Sequence, residues 1–207
     1  KATVSGEPVL NGEKVEVTEI MEVPDDVDFS TGNIRFPESV EVKGGVRPGF
    51  TIEVRDNLTV GGSVEDAHLA VAGDVTITAG FLGESDGREG ALLAGGDIQV
   101  KYLQAGNVTA GGDLLVGEDV VRSNVGVLGK IMVGGRGRIV GGRVSAGMAI
   151  HAKSIGAPTG VRTIVAVGNP GSEAKTVEAL LEARVPSQMS EVGGTPDLEE
   201  VEEAEAT

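Results

Sequence analysis

A short phrase recurs along this chain at nearly fixed spacing. "AGGDIQV" runs over residues 94–100 and "AGGDLLV" over residues 110–116, with a looser copy, "VAGDVTI", over residues 71–77. Taking Asp56, Gly73, Gly96, Gly112 and Gly129 as anchors, the intervals are 17, 23, 16 and 17 residues. Two and four positions after each anchor stand aliphatic residues, from Leu58 and Val60 to Ile131 and Val133. Four and two positions before stand another pair, from Ile52 and Val54 to Val125 and Val127. Each repeat is thus two period-two segments meeting at a Gly-Asp corner, followed by a shorter third segment marked by Val64, Phe81, Leu103 and Val120.

A repeat this short cannot hold the helix pair of a helical solenoid or the four strands of a propeller blade. It fits one coil of a parallel β-helix, in which equivalent residues of successive coils stack roughly 4.8 Å apart. The expected fold is therefore all-β: a single-stranded parallel β-helix with coils of about 17 residues. Composition agrees. The chain has 33 Gly in 207 residues, no Trp, one Tyr and four Phe, so its core is built from Val, Ile, Leu and Ala. At the corners, Gly73-Asp74, Gly96-Asp97 and Gly112-Asp113 read as structural turn residues. Glycine supplies a positive φ and Asp bonds the turn backbone.

Residues 32–168 are assigned to the β-helix. Ahead of it, residues 1–31 contain Asn11-Gly12 between two strand-like runs, a hairpin that serves as a cap or as the remnant of a preceding domain. Behind it, "SEAKTVEALLEAR" over residues 172–184 places Val177, Leu180 and Leu181 on one helical face and precedes Pro186. This reads as a capping helix within residues 169–186, closing the open end of the stack. Residues 187–207 read as a disordered acidic tail. Two inserts interrupt the coils: "GESDGREG" (83–90), expected to project as a loop, and "GGRGRIVGG" (134–142), which lengthens a coil. The chain begins at Lys1 rather than Met, as a fragment of a longer protein would.

Aligned this way, the chain resembles the β-helix domain of the flagellar assembly protein A family. The motifs are "GNIRF", "VEVKGGVRPGF", "VGGSVEDAHLAVAGDVTI", "GALLAGGDIQVKYLQAGNVTAGGDLLV", "RSNVGVLGKIMVGGRGRIVGGRVSAG" and "TIVAVG", covering about residues 32–168. The resemblance implies a right-handed coil in a bacterial cytoplasmic protein, stationed at the cell pole. It implies a non-enzymatic scaffold that binds flagellar or polar-localisation proteins. It supplies no catalytic residues. Family members usually carry a larger domain before the coils and a long coiled coil after them; here Pro186 and an acidic stretch follow instead.

Chemistry is sparse. Without cysteine there is no disulfide, thiolate ligand or thiol nucleophile. His68 and His151 are the only histidines. A hexapeptide-repeat acyltransferase would use one as general base, but its coils repeat in strict sixes, unlike these. The column Asp74, Asp97 and Asp113 is broken by Asn57 and Lys130 and lacks the calcium-binding nonapeptide, so turn chemistry is the better reading. "GGRGRIVGG" has Val140 where a dinucleotide loop needs its third Gly. No cofactor and no metal is called for. No apolar run reaches the length of a membrane span.

The net charge of −15 is unevenly distributed. Residues 191–207 hold seven acidic and no basic side chains. Residues 120–171 hold no acid and seven bases: Arg122, Lys130, Arg136, Arg138, Arg143, Lys153 and Arg162. Arg136, Arg138, Arg143 and Lys153 are the candidate docking residues for an acidic protein partner. Nucleic acid is disfavoured by overall acidity and by the scarcity of aromatics. The alternative is a self-assembling solenoid, like bactofilin filaments or the β-helical part of the division inhibitor MinC, with the chain as a homo-oligomer.

Overall fold

A computed structural model describes residues 7–11, 14–18, 20–83, 90–158 and 160–168, with side chains from residue 20 onward. Chain order begins with an antiparallel hairpin, β1 (Glu7–Asn11) and β2 (Lys14–Thr18), with Asn11 opposite Lys14, where Asn11-Gly12 led us to expect one.

Every later strand joins one continuous parallel stack. The first two coils hold β3 (Ile20–Val23) and β4 (Ile34–Phe36), then β5 (Ser39–Val42) and β6 (Thr51–Val54). The third holds β7 (Leu58–Val60), β8 (Val64–Glu65) and β9 (His68–Val71). The fourth and fifth hold β10 (Val75–Leu82) and β11 (Ala91–Ala94), then β12 (Ile98–Gln104) and β13 (Asn107–Ala110). The sixth and seventh hold β14 (Leu114–Val116) and β15 (Val120–Val127), then β16 (Lys130–Val133) and β17 (Arg138–Ala146). The last holds β18 (Ala149–His151), β19 (Ser154–Ile155) and β20 (Thr163–Val167). The longer strands bend around a corner and serve two faces.

The coil is triangular in register. Face A stacks Met21, Val40, Leu58, Val75, Ile98, Leu114, Ile131 and Ile150. Face B stacks Val27, Val46, Val64, Phe81, Leu103, Val120, Ile139 and Ile155. Face C stacks Ile34, Ile52, Leu69, Leu92, Val108, Val125, Val144 and Val165. Nearly all of these inward columns lie in one buried cluster, which the period-two pattern dictates. The columns are built mainly of branched aliphatics repeating at one spacing, with Phe81 on face B and Met21 on face A as the exceptions.

The stack starts at Ile20 rather than at residue 32, with faces A and B of the first coil already in place: β3 pairs with β5 and Val27 bridges Val46. The degenerate sequence of this coil, which lacks a Gly-Asp corner, hid it. Of "GGRGRIVGG", only residues 134–137 form a turn, closed by Gly137 N–H donating to the Gly134 carbonyl; Arg138–Ala146 is strand. The expected capping helix (169–186) and acidic tail (187–207) lie outside the described residues, as do residues 84–89 of the first insert.

The corner glycines act differently from expectation. At the C-to-A corner, Gly73, Gly96, Gly112 and Gly129 all have ordinary φ; none is among the positive-φ glycines. They are needed for closeness. A Cβ on Gly96 would fall on Asp74 Oδ1, and on Gly112 or Gly129 on the carboxylate of Asp97 or Asp113 one coil earlier. Those carboxylates are committed to a ladder between coils. Asp74 N–H donates to Asn57 Oδ1 (2.8 Å), Asp97 N–H to Asp74 Oδ1 (2.8 Å), Asp113 N–H to Asp97 Oδ1 (2.7 Å) and Lys130 N–H to Asp113 Oδ1 (2.7 Å). Each side chain thus satisfies the turn of the next coil rather than its own. The left-handed bends sit at the B-to-C corner instead, at Asp66, Ala105, Arg122 and Gly141.

Candidate interaction surface

The four candidate docking residues do not form one patch. Arg136 lies in the turn between β16 and β17, Arg138 opens β17, and Lys153 N–H donates to the Gly137 carbonyl, so these three meet at the A-to-B corner of the late coils. Arg143 lies on face C, in register with Asn124 below and Ile164 above.

Arg138 is also occupied. Its guanidinium donates to Asp119 Oδ2 (2.6 Å), and its backbone N–H donates to Asp119 Oδ1 (2.9 Å). Chiefly because of the side-chain bond from Arg138, the Asp119 carboxyl is held below its ordinary value. The same clasp recurs at the other end of the solenoid. Asp26 accepts from Gly45 N–H (2.7 Å) and Arg47 Nε (2.9 Å), and these bonds lower its pKa in that order. An Asp at the A-to-B corner of one coil therefore fastens an Arg of the next. Glu118 lies beside this corner and approaches Lys101 at 3.6 Å. Asp119, just ahead of the acid-free stretch, thus offsets Arg138, while Glu118 is paired with Lys101. A count of charges along the chain could not show this cancellation, because it arises between coils.

His68 opens β9 on face C of the third coil, and His151 closes β18 on face A of the last, so no element brings the two together. Among the described residues, no cluster of His, Asp and Glu is arranged to hold a metal. None of their helices is long and apolar enough to cross a membrane.

Sequence reasoning missed the outward side of face A. Its column of register partners reads Glu22, Glu41, Thr59, Thr76, Gln99, Leu115, Met132 and His151. The character passes from acidic through polar to apolar along the axis. Leu115 and Met132 are 37% and 38% exposed, and Leu128 and Met148, at the adjoining corner, are also exposed. Contiguous exposed apolar side chains of this kind mark interaction sites. Its signal was Leu114-Leu115-Val116, an unbroken apolar run where the earlier coils alternate.

A family model described as the flagellar assembly protein A beta solenoid domain matches residues 19–193. The chain belongs to this family. The match begins where the parallel stack begins, at β3, and so supports the earlier start of the solenoid. No curated protein and no solved structure matched the chain.

Proposed function

We propose that this flagellar assembly protein A domain is a non-enzymatic scaffold in bacterial flagellar assembly, working in the cytoplasm at the cell pole. Its partner is an acidic protein. The reading is carried by the polarity change along one outward column of face A: Leu115 and Met132 are exposed and adjacent in register on the late coils, and Leu128 and Met148 are exposed at the adjoining corner. Arg136 and Lys153 stand at the neighbouring A-to-B corner, and exposed Lys130 precedes Met132 on face A. An apolar centre with a basic rim fits a partner segment bearing apolar and acidic side chains. The rigid coil holds this patch in place.

The test is capture from the lysate of a polarly flagellated bacterium. Wild type is compared with Leu115→Asp/Met132→Asp and with Arg136→Glu/Lys153→Glu. A flagellar or polar protein retained by wild type and lost from both variants supports the reading; a partner kept equally by all three discards this surface.

A second reading is self-assembly. Ile155 and Val167 on the last coil are 52% and 53% exposed, while Val23, Val27 and Ile34 on the first coil are buried. Joining through one open end alone gives a closed two-fold dimer rather than a filament. Sedimentation that shows a monomer at all concentrations removes this reading.

A further inference from the structure

The exposed apolar column of face A adjoins a cavity at the A-to-B corner. Gly117 stands two residues past Leu115, on the same outward side, and is exposed. Lacking a side chain, it leaves open ground between Leu115 and the corner. There a cavity of about 480 Å³ is lined by Gly117, Glu118, Asp119, Arg136, Gly137 and Arg138. Two coils close its base: a Cβ on Gly137 would fall on the Glu118 carbonyl, and Gly137 N–H donates to the Gly134 carbonyl at 2.9 Å. Its charged groups differ in their commitments. Arg138 is held by Asp119 at 2.6 Å, and Glu118 approaches Lys101 at 3.6 Å. Arg136 is exposed and makes no ion pair among the described residues. The Gly135 and Arg136 N–H groups donate to no backbone carbonyl among them either.

We propose that this cavity seats one carboxylate of an extended partner segment, whose apolar side chain two residues away rests on Leu115 and Met132. The inference rests on the face A reading above and specifies the segment that surface takes. From Leu115 to Gly117 the strand advances two residues, about 7 Å. An extended chain repeats its side chains on one side at that same spacing. An apolar side chain over Leu115 therefore puts the side chain two residues along at the cavity mouth. One unpaired guanidinium, with the N–H donors of Gly135 and Arg136 beside it, matches one monoanion. A ligand carrying several phosphoryl groups would instead meet the carboxylates of Glu118 and Asp119 in the same wall. The neighbouring arginines thus divide the work: Arg138 fastens the wall through Asp119, and Arg136 receives the partner's charge. Arg143, on face C, takes no part.

A phage-displayed library of short random linear peptides, panned against the full chain, tests this. Arg136→Gln and Leu115→Asp/Met132→Asp are panned beside the wild type, with circular dichroism checking that the β signal persists. We expect wild type to enrich peptides with Asp or Glu two positions from an apolar residue. Arg136→Gln should enrich the apolar residue without the acid, and Leu115→Asp/Met132→Asp should enrich neither. A synthetic consensus peptide should bind wild type about fivefold more weakly when its acid is replaced by the amide. That difference should vanish on Arg136→Gln. Apolar enrichment with no acid at this spacing, or an acid preference that Arg136→Gln leaves intact, overturns the cavity and spares the face A reading. An acid three or four positions along, as on a helix, overturns the extended segment. Equal enrichment, or none, on wild type and Leu115→Asp/Met132→Asp overturns both.

Discussion

The Gly-Asp ladder yields a sharp test, because two explanations of the corner glycine predict different mutational couplings. Consider Gly96→Ala. Its φ is ordinary, so a Cβ brings no backbone strain, and alanine should stabilise by about 0.4–1 kcal/mol through the unfolded chain. The new Cβ, however, falls on Asp74 Oδ1, the atom that accepts from Asp97 N–H at 2.8 Å. The carboxylate must swing away and the bond is lost. A hydrogen bond to a charged group is worth about 1.5–3 kcal/mol, so the net loss is about 1–2 kcal/mol. In an Asp74→Ala background the bond and the obstructing oxygen are already gone. Gly96→Ala should then cost nearly nothing, giving a coupling of about 1–2 kcal/mol in the double-mutant cycle. The assay is urea unfolding followed by circular dichroism for the four proteins. If Gly96→Ala costs the same with and without Asp74, the ladder reasoning is refuted and a backbone requirement for glycine takes its place.

Two further outcomes follow from the same geometry. Ala105 holds a φ of +53° at the B-to-C corner, so Ala105→Gly should relieve about 1–2 kcal/mol of left-handed strain. Set against about 0.5–1 kcal/mol of added chain entropy, it should raise Tm slightly; a lowered Tm would contradict this. The Asp119 carboxyl is held below its ordinary 3.8 first by the Arg138 side-chain bond, which outweighs an opposing desolvation, and further by the Arg138 N–H and charge. A lowered folded-state value stabilises above 3.8 and loses that contribution as pH falls through the lowered value. Arg138→Gln should therefore be less stable than wild type at pH 7, with the gap closing in acid; a gap independent of pH would exclude the clasp.

Much of the fold was legible because a solenoid repeats its argument. The columns at two and four residues on either side of each anchor are the inward columns of faces C and A, and the shorter third segment is face B. The corner was legible in place but not in mechanism. Gly96 looks like a turn glycine in one dimension, and only the stacked coil shows that Asp74 fills the space beside it. The positive-φ corner carried no signal because Asp66, Ala105 and Arg122 stand there. The interaction surface was the least legible part. Summing charge over residues 120–171 gathered Arg143 from another face and counted Arg138 as available, although Asp119 holds it. The apolar patch of Leu115 and Met132 stayed hidden because the two are separated by a full coil in sequence and adjacent only in register.

The central claim is a flagellar scaffold that works by binding rather than by chemistry. The most direct measurement is to delete the gene in its own bacterium and count flagella by electron microscopy after complementation. Two variants of the intact gene would be compared: His68→Ala/His151→Ala, which removes both histidines, and Leu115→Asp/Met132→Asp, which breaks the face A patch. The account predicts that deletion abolishes or misplaces flagella, that the histidine variant restores them fully, and that the face A variant does not. Normal flagella in the deletion strain, or failure of the histidine variant beside success of the face A variant, would contradict it.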